Sequence, residues 1–127
     1  MRISKKIKVL FPIAVAFSIV GCVQQPQALY NYGDYSDSYY ANKKNMSDES
    51  TLKLQQSMEQ AIEKAGESIS GRVPPGMYAN LGYMYLKSGN PNGAISNFKK
   101  EKSVYPESAR FMDRIIKKVE LVEGKLK

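Results

Sequence analysis

The chain lacks histidine and tryptophan, and it has a single cysteine among its 127 residues. The missing histidine excludes His-based acid–base catalysis and Cys–His nucleophilic pairs, and with one cysteine it also excludes zinc sites built from His and Cys. A single cysteine excludes an internal disulfide. No run of alternating β-branched residues indicates a sheet, and the length leaves room for one small domain. These absences point away from catalysis and towards location and architecture.

The first twenty-two residues have the layout of a secretory signal. Four basic side chains lie within the first eight positions, and a twelve-residue apolar stretch over 9–20 follows them. Twelve residues are too few for a membrane-spanning helix, which needs about 20. We therefore predict a signal peptide over residues 1–21.

The signal ends in Ile19-Val20-Gly21-Cys22, which resembles the lipobox of bacterial lipoproteins. This resemblance implies cleavage before Cys22, a diacylglycerol on its thiol and a fatty acyl chain on the new N-terminus. In such lipoproteins an Asp after the lipidated Cys causes retention at the inner membrane, whereas this chain has Val23. We therefore predict a lipidated tether over 22–29 and an outer-membrane location facing the periplasm, with the inner membrane as the alternative. If the lipobox is coincidental, Cys22 merely ends the apolar stretch.

Charge and motif content argue against nucleic acid binding and catalysis. The net charge of +7 includes the four basic residues of the signal, and without them fifteen basic and twelve acidic side chains leave +3, an ordinary surface. Ser-x-x-Lys motifs at 50–53 and 96–99 lack the companion motifs of penicillin-binding enzymes. Glu59, Glu63 and Glu67 line one helix face without a second acidic cluster. We predict no catalytic residue, metal, cofactor, nucleic acid partner or small-molecule substrate.

Apolar periodicity after the tether predicts an all-α domain over 30–127. Five of the nine tyrosines fall within 30–40, and a polar stretch over 42–48 predicts a loop. The apolar positions of the next segment, 50–70, repeat at helical spacing: Leu54, Met58, Ala61, Ile62, Ala65 and Ile69. Asn90 and Pro91 favour a helix start, and a last helix from Pro106 has the apolar stripe Phe111, Met112, Ile115, Ile116, Val119, Val122 and Leu126. The pattern predicts four or five short antiparallel helices.

Residues 75–106 resemble the tetratricopeptide repeat. Seven positions carry the resemblance: Tyr78, Leu81, Gly82, Tyr85, Ala94, Phe98 and Pro106. The resemblance implies a helical hairpin in which Gly82 approaches Ala94 and the aromatic rings fill the surrounding space; the alternative is an ordinary helical hairpin. Glu101 stands where that family has a small residue, and we hypothesise that Arg110 or Arg114 neutralises it.

A degenerate first repeat is suggested 46 residues earlier. Tyr32, Tyr35, Ser36 and Tyr39 have the frame of Tyr78, Leu81, Gly82 and Tyr85, with Ser in place of Gly. We predict one degenerate repeat, one good repeat and a capping helix over 107–124, because a single repeat cannot bury its own apolar face. The alternative for the tyrosines is a flexible, adhesive segment beside the membrane.

The repeat resemblance also implies a concave groove for a protein partner. The matching positions on its first helix are Ala79, Tyr83, Leu86 and Lys87. Lys87 is the only cation among them, so the resemblance does not extend to repeats that grip acidic C-termini. An aromatic and aliphatic groove suits a protein partner. The alternative is that Tyr83 and Leu86 pack on the first repeat.

The chain from 22 to 120 also resembles an uncharacterised family of small bacterial lipoproteins, the domain-of-unknown-function 4810 family. The resemblance rests on the Tyr-rich segment 29–40, Pro74-Pro75-Gly76-x-Tyr78, Tyr105-Pro106-Glu107-Ser108 and Phe111-Met112. Members of that family are encoded beside a lipoprotein resembling the curli secretion channel, which implies an envelope assembly. We predict a lipid-anchored adaptor that binds a protein partner such as a curli-channel-like lipoprotein. The alternatives are a pilotin-type chaperone of a channel subunit and a regulator of a peptidoglycan-synthesising enzyme.

Overall fold

A computed structural model of the chain describes residues 27–124, which form five α-helices and no strand. The predicted signal peptide, Cys22 and the tether up to 26 lie outside the described residues, as do 125–127. The helices are α1 (Tyr35–Lys44), α2 (Asp48–Glu63), α3 (Met77–Lys87), α4 (Pro91–Val104) and α5 (Ala109–Val122). They pack as antiparallel pairs, so the all-α prediction is confirmed. No helix within the described range is long and apolar enough to cross a membrane.

Helices α1 and α2 form a hairpin with a short turn. The Ser47 hydroxyl accepts the N–H of Ser50, and the Ser50 hydroxyl accepts the N–H of Ser47, a reciprocal cap that fixes the start of α2. The predicted loop over 42–48 is wrong in its first half because α1 continues to Lys44. There the Asn42 amide donates to the hydroxyls of Ser50 and Thr51, both at 3.0 Å. The loop is therefore limited to residues 45–47, and Asn42 connects the two helices beside it.

Helix α2 is shorter at its C-terminus than its sequence pattern predicts. The α-helix ends at Glu63, and a 3-10 turn over Lys64–Glu67 follows. Leu54, Met58, Ala61 and Ala65 of the predicted stripe are buried, whereas Ile69 is exposed. The prediction for Ile69 is wrong because the chain has left the helix before reaching it.

Helices α3 and α4 form the second hairpin, and they approach each other closely at Gly82. The Asn90 side chain accepts the N–H of Gly93 at 2.9 Å, and Pro91 occupies the first turn of α4, as predicted. A Cβ atom added at Gly82 would lie 2.7 Å from Cε1 of Phe98 and 3.1 Å from the carbonyl oxygen of Ala94. Only glycine fits at this distance, which confirms the predicted contact.

The seven predicted packing residues of this hairpin differ in burial. Leu81, Gly82, Ala94 and Phe98 are buried, and Tyr78 and Tyr85 are half-buried. Pro106 is exposed and begins a 3-10 turn over Pro106–Ser108 that leads into α5. The proline therefore shapes the turn and is not a packing residue.

Two apolar clusters form the core. The first joins α2 to α3 and comprises Leu54, Met58, Ala61, Ala65, Val73, Met77 and Leu81. The second joins α4 to α5 and comprises Ala94, Ile95, Phe98, Met112, Ile116 and Val119. Tyr85 packs against both. The predicted stripe of α5 is too wide, because Phe111 and Val122 are exposed at its edge; Leu126 lies outside the described residues.

The frame predicted for the first hairpin is wrong. Ser36 is exposed, and the small residue of α1 that is buried is Ser38. Tyr32 precedes α1, which begins only at Tyr35. The face of α1 that meets α2 is therefore not the one obtained by aligning Ser36 with Gly82.

Candidate functional site

A groove of about 480 Å³ lies between α1, α2 and α3. Helix α2 provides its floor, since Leu54 and Met58 are the buried apolar residues of the lining. The walls come from α1 and α3, which the Asn80 amide connects by donating to the Tyr35 hydroxyl at 3.2 Å. The other aromatic and thioether side chains of the lining are Tyr39, Tyr83, Met46 and Met84. The groove is thus mainly apolar, with adaptable methionines and rigid rings.

A row of tyrosines begins before α1, continues along its first half, and lines the groove at Tyr35 and Tyr39. The rings of Tyr30, Tyr32, Tyr35, Tyr39 and Tyr40 follow one another with centroids 6.5, 6.4, 6.0 and 6.0 Å apart. Burial, together with the neighbouring Tyr39, raises the pKa of Tyr35 against the opposing effect of the Asn80 hydrogen bond. Tyr35 is therefore a neutral phenol at physiological pH.

Charged side chains lie at the end of the groove beside the two helix–helix turns. Lys43 of α1 and Lys87 of α3 line it together with Asp48 at the start of α2. The Lys87 ammonium lies 5.8 Å from the ring centroid of Tyr83, within the range of a cation–π contact. The local balance is positive, which suits an apolar ligand that also carries an acidic group.

Helix α3 is held in place by a carboxylate from α4. Glu101 is 3% exposed, and its two oxygens accept the backbone N–H of Gly76 at 2.7 Å and of Ala79 at 3.2 Å. These N–H groups belong to the first turn of α3, which has no helical acceptor for them, and the negative charge is favourable at this helix end. The hypothesis that Arg110 or Arg114 neutralises Glu101 is replaced by this finding. The carboxylate fixes the α3 wall of the groove.

The segment between α2 and α3 is attached to the end of α4. The buried Tyr105 hydroxyl donates to the carbonyl of Val73 at 2.6 Å, and the Arg72 guanidinium donates to the carbonyl of Val104. The same guanidinium lies 4.5 Å from the ring centroid of Tyr105. Burial, and then the neighbouring Tyr30 hydroxyl, raise the pKa of Tyr105 to about 12. Tyr105 is thus a neutral hydrogen-bond donor that joins the two hairpins.

A family model described as a domain of unknown function, DUF4810, matches residues 29–115. The chain belongs to the DUF4810 family. The match begins beside the tyrosine row and ends within α5, so the DUF4810 domain includes the whole groove and both hairpins. No curated protein and no solved structure matches the chain.

The four groove residues expected from the repeat resemblance separate into two pairs in the DUF4810 domain. Tyr83 and Lys87 line the groove, whereas Ala79 and Leu86 pack against the α4–α5 cluster. Successive side chains of an α-helix point about 100° apart around the helix axis. Ala79 and Leu86 therefore share one edge of α3, and Tyr83 and Lys87 share the edge that faces α1.

The wall contributed by α1 and the floor contributed by α2 were missing from the prediction. Tyr35 and Tyr39 lie four residues apart, and Leu54 and Met58 have the same spacing, so each pair shares one helix face. That spacing was a usable signal for a common surface. No group of acidic or cysteine side chains that could hold a metal occurs within residues 27–124.

Proposed function

We propose that this chain is a lipid-anchored, periplasm-facing adaptor of the outer membrane whose groove binds an apolar, acidic segment of a protein partner in a cell-envelope assembly. The observation that carries the proposal is the groove between α1, α2 and α3, with its rings, methionines and two lysines. Adaptable methionines and rigid aromatic rings are frequent at surfaces that take a partner helix or strand. The tetratricopeptide-like frame of α3 and α4 supports the same function, because such hairpins present concave binding surfaces.

The lipid anchor is the second part of the proposal, and it rests on the Ile19-Val20-Gly21-Cys22 sequence. Two or three acyl chains hold a protein stably on a bilayer where one chain does not. We expect wild-type chain in a bacterial host to incorporate labelled palmitate and to lose its signal peptide. Cys22→Ala should remain unlabelled and uncleaved. Labelling that persists in this variant would overturn the lipobox assignment.

Site-specific photo-crosslinking in intact cells tests the groove. A photoreactive phenylalanine analogue at Tyr83, which is 58% exposed, is compared with the same analogue at Phe111, which is 62% exposed and lies outside the groove. We expect a defined partner to be captured from position 83 and not from 111. Equal capture from both positions would show that the groove is not the binding surface.

A binding measurement with the captured partner then tests the chemistry. Reversing the charge at the groove with Lys87→Glu should weaken the affinity of the purified partner by about two- to five-fold, the usual value of a partly exposed ion pair. Lys117→Glu on the exposed side of α5 serves as the matched control and should leave the affinity unchanged. An unchanged affinity in the Lys87→Glu variant would exclude an acidic group of the partner at this lysine.

The identity of the captured partner separates the related functions. A curli-channel-like lipoprotein that stays in place without this chain supports the adaptor. A channel subunit that is mislocalised in a deletion strain supports a pilotin-type chaperone instead. A peptidoglycan-synthesising enzyme whose rate rises on binding supports a regulator.

A further inference from the structure

An exposed apolar patch lies where the chain enters the described domain. Leu29 is 57% exposed and Ile69 is 60% exposed. The N–H of Ile69 donates to the carbonyl of Ala28 at 3.3 Å, and the N–H of Ser70 donates to the carbonyl of Leu29 at 3.1 Å. These two bonds place the backbone of residues 28–29 beside that of residues 69–70, although Leu29 and Ile69 are forty positions apart in the chain. Tyr32, also exposed, follows three residues after Leu29, and we call Leu29, Tyr32 and Ile69 the N-terminal patch.

The patch occupies one end of the helix bundle, and the charged part of the groove occupies the other. Because neighbouring helices are antiparallel, α1, α3 and α5 begin at the patch end, and α2 and α4 end there. The Asn31 amide, which precedes α1, accordingly donates a hydrogen bond to the carbonyl of Lys64, which follows α2. The groove residues Lys43, Asp48 and Lys87 lie beside the opposite turns. The sixteen residues of α2 separate these ends by about 24 Å at 1.5 Å per residue.

The predicted tether is short. Five residues lead from Cys22 to Gln27, and five residues span at most about 18 Å when fully extended. An acylated Cys22 would therefore keep the patch end of the domain within that distance of the headgroups. Tyrosine is enriched at the membrane–water interface because its ring is apolar and its hydroxyl is polar.

We propose that the N-terminal patch docks onto the lipid bilayer that holds the acyl chains of Cys22, so that the groove opens away from the membrane. This inference rests on the lipid anchor of the proposed function. The insertion is apolar rather than electrostatic, because Lys64 and Arg72 at this end are accompanied by Glu63 and Glu67. Leu29 and Ile69 enter the boundary between headgroups and acyl chains, and Tyr32 remains at headgroup level.

Single tryptophans test the docking, since the chain has none of its own. Full-length Leu29→Trp and Ile69→Trp variants are purified from membranes, their acylation is verified by mass, and they are reconstituted into phosphatidylethanolamine–phosphatidylglycerol vesicles. Leu52→Trp and Leu121→Trp serve as controls, because Leu52 is 56% and Leu121 51% exposed and they lie about 17 Å and 18 Å along α2 and α5 from the patch end.

We expect the two patch variants to emit at shorter wavelength in vesicles than in solution. Brominated lipid should quench them at least about two-fold more than the controls, because a docked apolar side chain lies about 5–10 Å into the headgroup boundary. Replacing phosphatidylglycerol with phosphatidylcholine should leave the quenching unchanged.

Three other outcomes would overturn the proposal in distinguishable ways. An acylated chain whose patch variants are quenched no more than the controls removes the docking surface and leaves the anchor intact. Quenching that disappears without phosphatidylglycerol replaces the apolar insertion with an electrostatic contact. A purified chain whose mass shows no acyl chains overturns the lipid anchor, and it also overturns the orientation of the domain that was proposed from the anchor.

Discussion

Replacing Glu101 with alanine removes the acceptor of two backbone N–H groups at the start of α3. Its oxygens lie 2.7 Å and 3.2 Å from the nitrogens of Gly76 and Ala79. Leaving a buried donor unsatisfied costs about 1–3 kcal/mol each, and loss of a negative charge at a helix N-terminus adds about 0.3–1 kcal/mol. Because both N–H groups are only partly buried, we expect Glu101→Ala to lower the free energy of unfolding by about 2–4 kcal/mol.

Two further variants separate the charge and the hydrogen bonds from a general effect of truncation. Glu101→Gln keeps one carbonyl oxygen as an acceptor and places an NH₂ group at the other position. We expect Glu101→Gln to lower the free energy of unfolding by about half as much as Glu101→Ala does. The second variant, Glu123→Ala, is the control for truncation. Glu123 is exposed at the end of α5, and removing such a surface side chain changes the free energy of unfolding by less than about 0.5 kcal/mol.

Urea unfolding, followed by far-ultraviolet circular dichroism of the chain from residue 23 onward, measures these differences. With a urea dependence of about 2 kcal/mol per molar, the Glu101→Ala midpoint should fall by about 1–2 M. Hydrogen exchange adds a local measurement, since the amides of Gly76 and Ala79 should lose protection selectively. A Glu101→Ala variant as stable as Glu123→Ala, with both amides still protected, would refute the reasoning.

Two other substitutions test the packing and the buried phenol. Gly82→Ala places a Cβ 2.7 Å from Phe98 and should cost about 1–3 kcal/mol through overpacking; Gly66→Ala, where a Cβ meets nothing within 4 Å, should not destabilise the chain, and equal midpoints in urea would disprove the close contact. The pKa of Tyr105 is raised from 10.0 to about 12. The neutral phenol therefore contributes fully to the free energy of unfolding below pH 10, and this contribution is lost as the pH rises through 12. The stability of wild type should therefore fall between pH 10 and 12 more steeply than that of Tyr105→Phe, and parallel curves would contradict the raised pKa.

The residues around Glu101 illustrate what sequence reasoning could not supply. Its position in the repeat frame identified it as unusual, but the N–H groups that it binds lie 25 and 22 residues earlier in the chain. Backbone donors leave no mark on amino-acid identity, so the sequence suggested arginines as partners. The packing of α4 on α3 decided the partner.

The composition of the groove also depends on tertiary packing that sequence reasoning could not supply. The positions Ala79, Tyr83, Leu86 and Lys87 were predicted as one set, yet they belong to two edges of α3 with different neighbours. Which edge is covered depends on where α1 and α5 pack, and that information is distributed over the whole chain.

The sequence by itself determined the all-α class, the Asn90 cap and the close contact at Gly82. These features depend on hydrogen bonds and side-chain volumes within one hairpin, and such local preferences are encoded by neighbouring residues. The tertiary structure alone decided that Ile69 and Phe111 are exposed, that Ser38 rather than Ser36 is buried, and that the walls of the groove meet. Burial is a property of what packs against a residue, and the packing of one hairpin on another follows from many weak contacts between distant segments.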